Sequence, residues 1–333
     1  MSTSTAGLPS PHPVIVRDVR ATFGGPLVLD GVSFTLTRGE MFGLIGPDGA
    51  GKTTMLRLVC GLLRPAGGEI LVMGEDPYRN RRVATRSIGY LSQRFSLYGD
   101  LTIDENVEFF ARLHGVSDYE PKRARLLGLI GLDRFRGRLA DRLSGGMKQK
   151  LALACTLIHE PPVIVLDEPT TGVDPVSRRE FWKLLGEFLA EGLTIVVATP
   201  YLDEAERCGR VALINEGRVL ALDTPGQLRA SLGGVMFELV PAASPRQVRD
   251  VLSAGWGASR VESFGDRLHV RADTADDAAR ITALLDAAGV SGARIRPVMP
   301  SLEDVFIERL AGAGSAAGPG VGRAPSASQD THR

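Results

Sequence analysis

The sequence predicts an α/β fold with a largely parallel central sheet, followed by a small α+β domain. Two observations predict the first part. Short continuous apolar runs, "MFGLIG", "PVIVLDE", "TIVVAT" and "VALIN", recur along the chain, as strands covered on both faces require. Stretches of helical periodicity separate them, and buried strands alternating with helices make a mostly parallel sheet. The third observation is a change of order beyond about residue 235, where strands and helices follow as βαββαβ, a ferredoxin-like split unit.

In chain order, "VIVRDV" and "VSFTL" alternate like half-buried strands before the first continuous run. Helices are predicted at "GKTTMLRLVCGLL", "IDENVEFFARLHG", "EPKRARLLGLIGL", "SGGMKQKLALACTLIHE", "VSRREFWKLLGEFLAEG" and "LDEAERC". The helix-rich block from about 95 to 160 interrupts the alternation and reads as a helical subdomain of a domain spanning 13–232. In the second domain, 235–311, "VMFELV", "SRVESF", "RLHVRA" and "ARIRPVM" are the strands. Gly265 and Asp266 form a hairpin turn between the middle two. "SPRQVRDVLSA" and "ADDAARITALLDAAG" are the intervening helices, and "SLEDVFIERL" is a last helix capped by Ser301. Residues 1–12 and 312–333 are rich in Ser, Thr, Pro, Gly and Ala, have little to bury, and are expected to be disordered.

Bulk properties narrow the function. Of 333 residues, 39 are basic and 39 acidic, so the net charge is zero and no broad footprint for nucleic acid is expected. No apolar run approaches the roughly 20 residues that span a bilayer. The N-terminus has neither the basic nor the apolar region of a secretory signal. The expected location is therefore the cytoplasm, with any membrane contact made through a partner. Cys60, Cys155 and Cys208 lack metal or redox spacing and read as buried thiols. His114 and His159, near predicted helix ends, read as surface or capping groups rather than ligands.

Three stretches carry chemistry. "GPDGAGKTT", Gly46 to Thr54, fits G-x-x-x-x-G-K-[ST], follows a strand and opens a helix. The backbone of Gly46, Pro47, Asp48, Gly49, Ala50 and Gly51 would turn N–H groups around phosphates, at a helix N-terminus whose dipole favours anions. Lys52 would reach the β- and γ-phosphates, and Thr53 would offer its hydroxyl to Mg²⁺ beside Thr54. The cofactors implied are thus ATP and Mg²⁺. "VIVLDEP" is an apolar strand ending in two acids: Asp167 for Mg²⁺ and Glu168 to orient or deprotonate the attacking water. The alternative is a strand that simply ends in solvent. "LSGGMKQ", residues Leu143, Ser144, Gly145, Gly146, Met147, Lys148 and Gln149, opens a further helix as a second anion site, or else is an ordinary helix cap.

Taken together these stretches resemble the ATP-binding cassettes of ABC proteins, over residues of roughly 14 to 230. The resemblance implies two cassettes dimerised head to tail, with each ATP between one P-loop and the other's "LSGGMKQ". It makes Gln93 in "YLSQRFSLYGDLT" a Mg²⁺ sensor and catalytic contributor, and Asp174 in "TTGVDP" a residue of the dimer seam. It puts Phe23 where an aromatic stacks on adenine, the alternative being a core residue. "MPSLEDVFIERL" and "TPYLDEAERC" resemble the multidrug and antibiotic efflux branch. That implies ATP hydrolysis driving separate membrane permease subunits from the cytoplasmic face, as a homodimer or a heterodimer with another cassette. A groove around Phe95, Leu97, Tyr98 and Leu101 would take a permease helix, or pack the subdomain's own core. The Arg-rich stretch "YRNRRVATR" reads as a solvated face.

One position departs from the family. Pro200 stands where its members usually place a switch histidine that touches the γ-phosphate. Proline has no side-chain donor and no N–H. Either Glu168 sustains hydrolysis without the histidine, or the chain binds ATP and turns it over poorly as a regulatory half. Tyr201 next to it could supply a hydroxyl. A cassette acting on ribosomes or DNA is a lesser alternative.

Overall fold

The computed structural model describes residues 12–93, 97–242, 244–290 and 292–316. The chain divides into two compact units after Leu228. That is a few residues before the boundary at 232 drawn from the sequence.

The first unit begins with β1 (Val14–Thr22), β2 (Leu27–Leu36) and β3 (Met41–Ile45), followed by α1 (Lys52–Val59) and β4 (Gly67–Val72). Then come α2 (Arg81–Ser87), β5 (Ile88–Leu91), α3 (Ile103–Leu113), α4 (Glu120–Leu129) and α5 (Gly145–Leu157). The alternation resumes with β6 (Val163–Asp167), α6 (Pro175–Ala190), β7 (Thr194–Thr199), α7 (Leu202–Ala205), β8 (Arg210–Asn215), β9 (Arg218–Asp223) and α8 (Pro225–Ala230). The six-stranded sheet runs β5-β6-β7-β3-β8-β9. Its first five strands are parallel and β9 is an antiparallel edge. A separate antiparallel sheet runs β2-β1-β4.

Burial explains the continuous apolar runs. Every residue of β3, β6 and β7 is buried, so neither sheet face can be polar. Helix α3 starts on a capping box in which Thr102 and Glu105 bond each other's backbone N–H. Helices α3 to α5 and two short 3₁₀ turns fill the block read as a helical subdomain. The Arg-rich stretch contains α2, unforeseen from the sequence, with Arg81, Arg82 and Arg86 exposed.

The second unit holds β10 (Val235–Val240), α9 (Pro245–Leu252), β11 (Val261–Phe264), β12 (Arg267–Ala272), α10 (Asp277–Ala287), β13 (Arg294–Val298) and α11 (Leu302–Ala316). Its antiparallel sheet is ordered β11-β12-β10-β13. Phe237, Leu239, Leu268, Val270 and Ala272 share one face and pack against Val248 and Leu252 of α9 and Ile281 and Leu285 of α10. His269 alternates with those residues and meets Asp304 of α11. Ser301 and Asp304 bond reciprocally at the start of α11. Helix α11 continues to Ala316, past the domain end drawn at 311, from a start where Leu302 and Val305 are buried. The expected disorder of 1–11 and 317–333 concerns residues outside those described.

Candidate active site

The P-loop is shaped by close packing. Gly51, at the N-cap of α1, has φ 101°, and a Cβ there would lie 2.9 Å from the carbonyl oxygen of Val28 and 2.7 Å from Leu29. Only glycine relieves both constraints. Lys52 is 4 % exposed. Its Nζ donates to the carbonyls of Gly46 (2.8 Å) and Pro47 (3.0 Å) and lies 3.6 Å from the Glu168 carboxylate. The loop thereby holds a buried cation inside a ring of oxygens. Beside it opens a pocket of about 180 Å³ lined by Val28, Asp48, Gly49, Gly51, Lys52, Thr53, Thr54 and Glu168. Ala50 is buried and Asp48 points to solvent.

Sheet order brings the acids to this pocket. β6 lies one strand from β3, separated by β7, and the strand ends align. Asp167 is 1 % exposed and accepts from Thr53 Oγ1 at 3.0 Å and from Tyr90 Oη at 3.3 Å. Burial raises its carboxyl above the ordinary value, against the pull of those two hydroxyls. The same burial, with Asp167 beside it, pushes the Tyr90 phenol up to about 12. Glu168 takes a left-handed turn, φ 48°, while its N–H stays bonded to the Ala198 carbonyl at 2.8 Å. A bulky residue in that region stores strain, as functional positions often do. The turn delivers its carboxylate to Gln93 Nε2 at 2.9 Å and Thr171 Oγ1 at 3.3 Å. The strand therefore does not simply end in solvent. The hydroxyl of Thr53, the carboxylate of Asp167 and the side-chain amide of Gln93 offer the hard oxygen donors that suit Mg²⁺.

The remaining predicted residues lie at the start of α5, before α6, in the β1–β2 turn, after β7 and before α3. Ser144 caps α5 through Met147 N–H at 3.3 Å. Of the seven residues from Leu143 to Gln149, Ser144 and Gly145 face solvent, and Met147 and Lys148 are half-buried. Leu143, ahead of the N-cap, is buried, and Gly146 and Gln149 turn into the unit because positions three apart share a helix face. Ser144 and Gly145 are thus the most exposed members of the stretch expected to meet a second chain's nucleotide. A Cβ on Gly146 would meet Ser177 Oγ at 2.2 Å. Asp174, exposed, caps α6 through the N–H groups of Val176 and Ser177. Phe23 lies in the β1–β2 turn and is 65 % exposed, so it is not a core residue. Pro200 is half-buried between β7 and α7. Tyr201 sits under the Arg178 guanidinium, 4.7 Å from its ring centroid. Of the permease groove, Tyr98 is exposed and edge-on to Phe109, Leu97 and Leu101 are half-buried, and Phe95 lies outside the described residues. All three cysteines are free and buried, and burial pushes the Cys208 thiol up to about 12.

Sequence reading missed Tyr90 and, more consequentially, Glu204. Glu204 sits in the acidic run "LDEAER", which resembles a solvated helix face, yet it is 1 % exposed. Nothing in that spacing marks it. His114, the C-cap residue of α3, stacks on His159 with centroids 3.9 Å apart, and burial lowers His159 to about 4.

A parallel sheet with a P-loop, two acids at a strand end and a second helix opened by Ser144 and two glycines defines a class, the ATP-binding cassette ATPases. Comparison with known proteins agrees. A family model described as ABC transporter matches residues 29–171. The chain is 42 % identical over 290 residues, 86 % of its length, to the probable multidrug ABC transporter ATP-binding protein YbhF of Escherichia coli K12, and spans about half (49 %) of that protein. It is 38 % identical to the Nod factor export ATP-binding protein I of Rhizobium sp. N33, over 88 % of this chain and 95 % of that one. A solved ATP-binding subunit of an ABC transporter superposes with TM-score 0.61 at 32 % identity, covering 66 % of this chain and 92 % of that one. A dimeric cassette in a post-hydrolysis state with ADP and Pi superposes with TM-score 0.56 at 28 % identity, covering 63 % and 98 %. This chain belongs to the ATP-binding protein family of ABC transporters. Among the described residues no helix is long and apolar enough to cross a membrane.

Proposed function

We propose that this protein hydrolyses ATP to drive an exporter formed with separate membrane permease subunits, from the cytoplasmic face. The observation that carries the reading is that Lys52, Thr53 and Glu168 line one pocket while Asp167, 114 residues from Thr53, bonds it and Gln93 bonds Glu168. Lys52 and the α1 N-terminus supply positive potential to the phosphates. Thr53, Asp167 and Gln93 would hold Mg²⁺, which neutralises charge developing on the transferred phosphoryl oxygens. Glu168, held by Gln93 and turned out of its strand, is the group to orient or deprotonate water. Exposed Ser144 and Gly145 would meet the nucleotide of a second cassette, identical or different, with Asp174 at the seam and Phe23 on the adenine. The similarity to proteins named for multidrug and Nod factor export supports the exporter assignment.

The test is steady-state MgATP hydrolysis by the wild type beside Glu168→Gln and Pro200→His. Turnover of the wild type well above that of Glu168→Gln supports a working motor. Turnover equal to it, restored by Pro200→His, makes the chain an ATP-binding half and sinks the reading.

A further inference from the structure

We propose that Glu204 is the positioning residue of this site: it locks the Pro200 segment, the loop after Glu168 and helix α6 into one unit. Four side chains donate to its carboxylate. Thr170 Oγ1, Arg178 Nε (2.7 Å) and Trp182 Nε1 (3.1 Å) bond Oε1, and Thr199 Oγ1 (2.6 Å) bonds Oε2. The donors come from places the chemistry needs in register. Thr170 lies two residues beyond Glu168. Thr199 ends β7 immediately before Pro200. Arg178 and Trp182 lie on α6, whose N-cap is Asp174.

A carboxylate this deeply buried is costly unless it is paired and fully hydrogen-bonded, so the arrangement resists partial disruption. Its arms reach both sides of the proline. Thr199 Oγ1 also accepts from the Tyr201 N–H at 3.1 Å, closing a bridge across residue 200. Arg178 grips both oxygens of Asp203 at 3.0 Å and covers the Tyr201 ring. Pro200 has neither a side-chain donor nor an N–H to hold itself in place. Glu204 therefore sets the geometry of the segment from below, and through Thr170 ties it to the loop that carries Glu168.

The catalytic consequence rests on the proposed hydrolysis, so the experiment carries a second readout that does not. Thr199→Val removes both bonds of the hydroxyl and keeps the side-chain shape. Thr199→Ser keeps the hydroxyl. Turnover of Thr199→Val is expected to fall about tenfold with KM for ATP within about twofold of wild type, and Thr199→Ser to recover most of it. The chain has two tryptophans, Trp182 and Trp256. In a Trp256→Phe background, MgATP is expected to change Trp182 emission, and Thr199→Val to abolish most of that change. Glu204→Gln should act in the same direction where it folds, and Thr199→Val serves where it does not. An unchanged kcat and an unchanged Trp182 response in Thr199→Val would overturn the proposal. So would a parallel loss of kcat, ATP affinity and thermal stability, the mark of a merely structural role. Wild-type turnover no greater than that of Glu168→Gln would defeat the hydrolysis reading, and Glu204 would then be judged on the Trp182 response.

Discussion

Gln93 Nε2 donates to Glu168 Oε2 at 2.9 Å, joining the segment after β5 to the turn after β6. The bond fixes which way the strained Glu168 points, and the first prediction follows from it. A hydrogen bond to a charged group contributes about 1.5–3 kcal/mol, so Gln93→Ala should lower kcat by about 10- to 100-fold. Glu168→Gln should lower it further, about 10²–10⁴-fold. ATP binding should survive both. A Gln93→Ala enzyme with wild-type kcat at saturating Mg²⁺ would show that the bond plays no part in turnover.

Thr53→Val should raise the Mg²⁺ concentration needed for half-maximal hydrolysis. The substitution removes a hydroxyl from beside Asp167 and leaves that buried carboxylate with Tyr90 as its remaining side-chain hydrogen-bond partner among the described residues. Titrating Mg²⁺ at fixed ATP checks it. An unchanged midpoint would remove Thr53 from the metal site.

Gly46→Ala should destabilise the first unit even without nucleotide. A Cβ there would stand 2.1 Å from the Ile214 carbonyl oxygen, on the strand paired beside β3. Backbone cannot yield as a side-chain tip can, and overpacking of this kind costs about 1–3 kcal/mol. Thermal unfolding should move down by several degrees. An unshifted transition would mean that β8 moves freely.

The histidines should titrate in a set order by NMR. Burial holds His159 at about 4 and His114 below its ordinary value, while the bond to Asp304 raises His269 above 6.5. A raised folded pKa means the folded state holds the proton more tightly than the unfolded state. The stabilising charge is therefore fully present below 6.5 and is lost as pH rises through the higher folded value. Thermal stability of the wild type should decline upward from there relative to His269→Gln. Parallel pH profiles for the two proteins would contradict it.

Much of the fold was legible because it is written locally. A strand buried on both faces must be apolar throughout, so β3, β6 and β7 announce themselves, and a phosphate loop needs its glycines at fixed positions within one short stretch. The extent of the last helix was not legible for the converse reason. "LAGAGSA" looks unstructured, yet helix α11 runs through it from an anchored start.

The sequence by itself determined the phosphate loop, the paired acids, the second capped helix and the proline where a donor is usual, since each lies within a few consecutive residues. Only the tertiary structure decided how these parts are held. The inward turn of Gly146 and Gln149 follows from how α5 packs. The burial of Glu204 depends on side chains from three other segments meeting it, and a contact between distant segments leaves no local pattern to read. A glutamate in an acidic run looks solvated until the fold closes over it, and here that closure joins the loop after Glu168, α6 and the proline segment at one carboxylate.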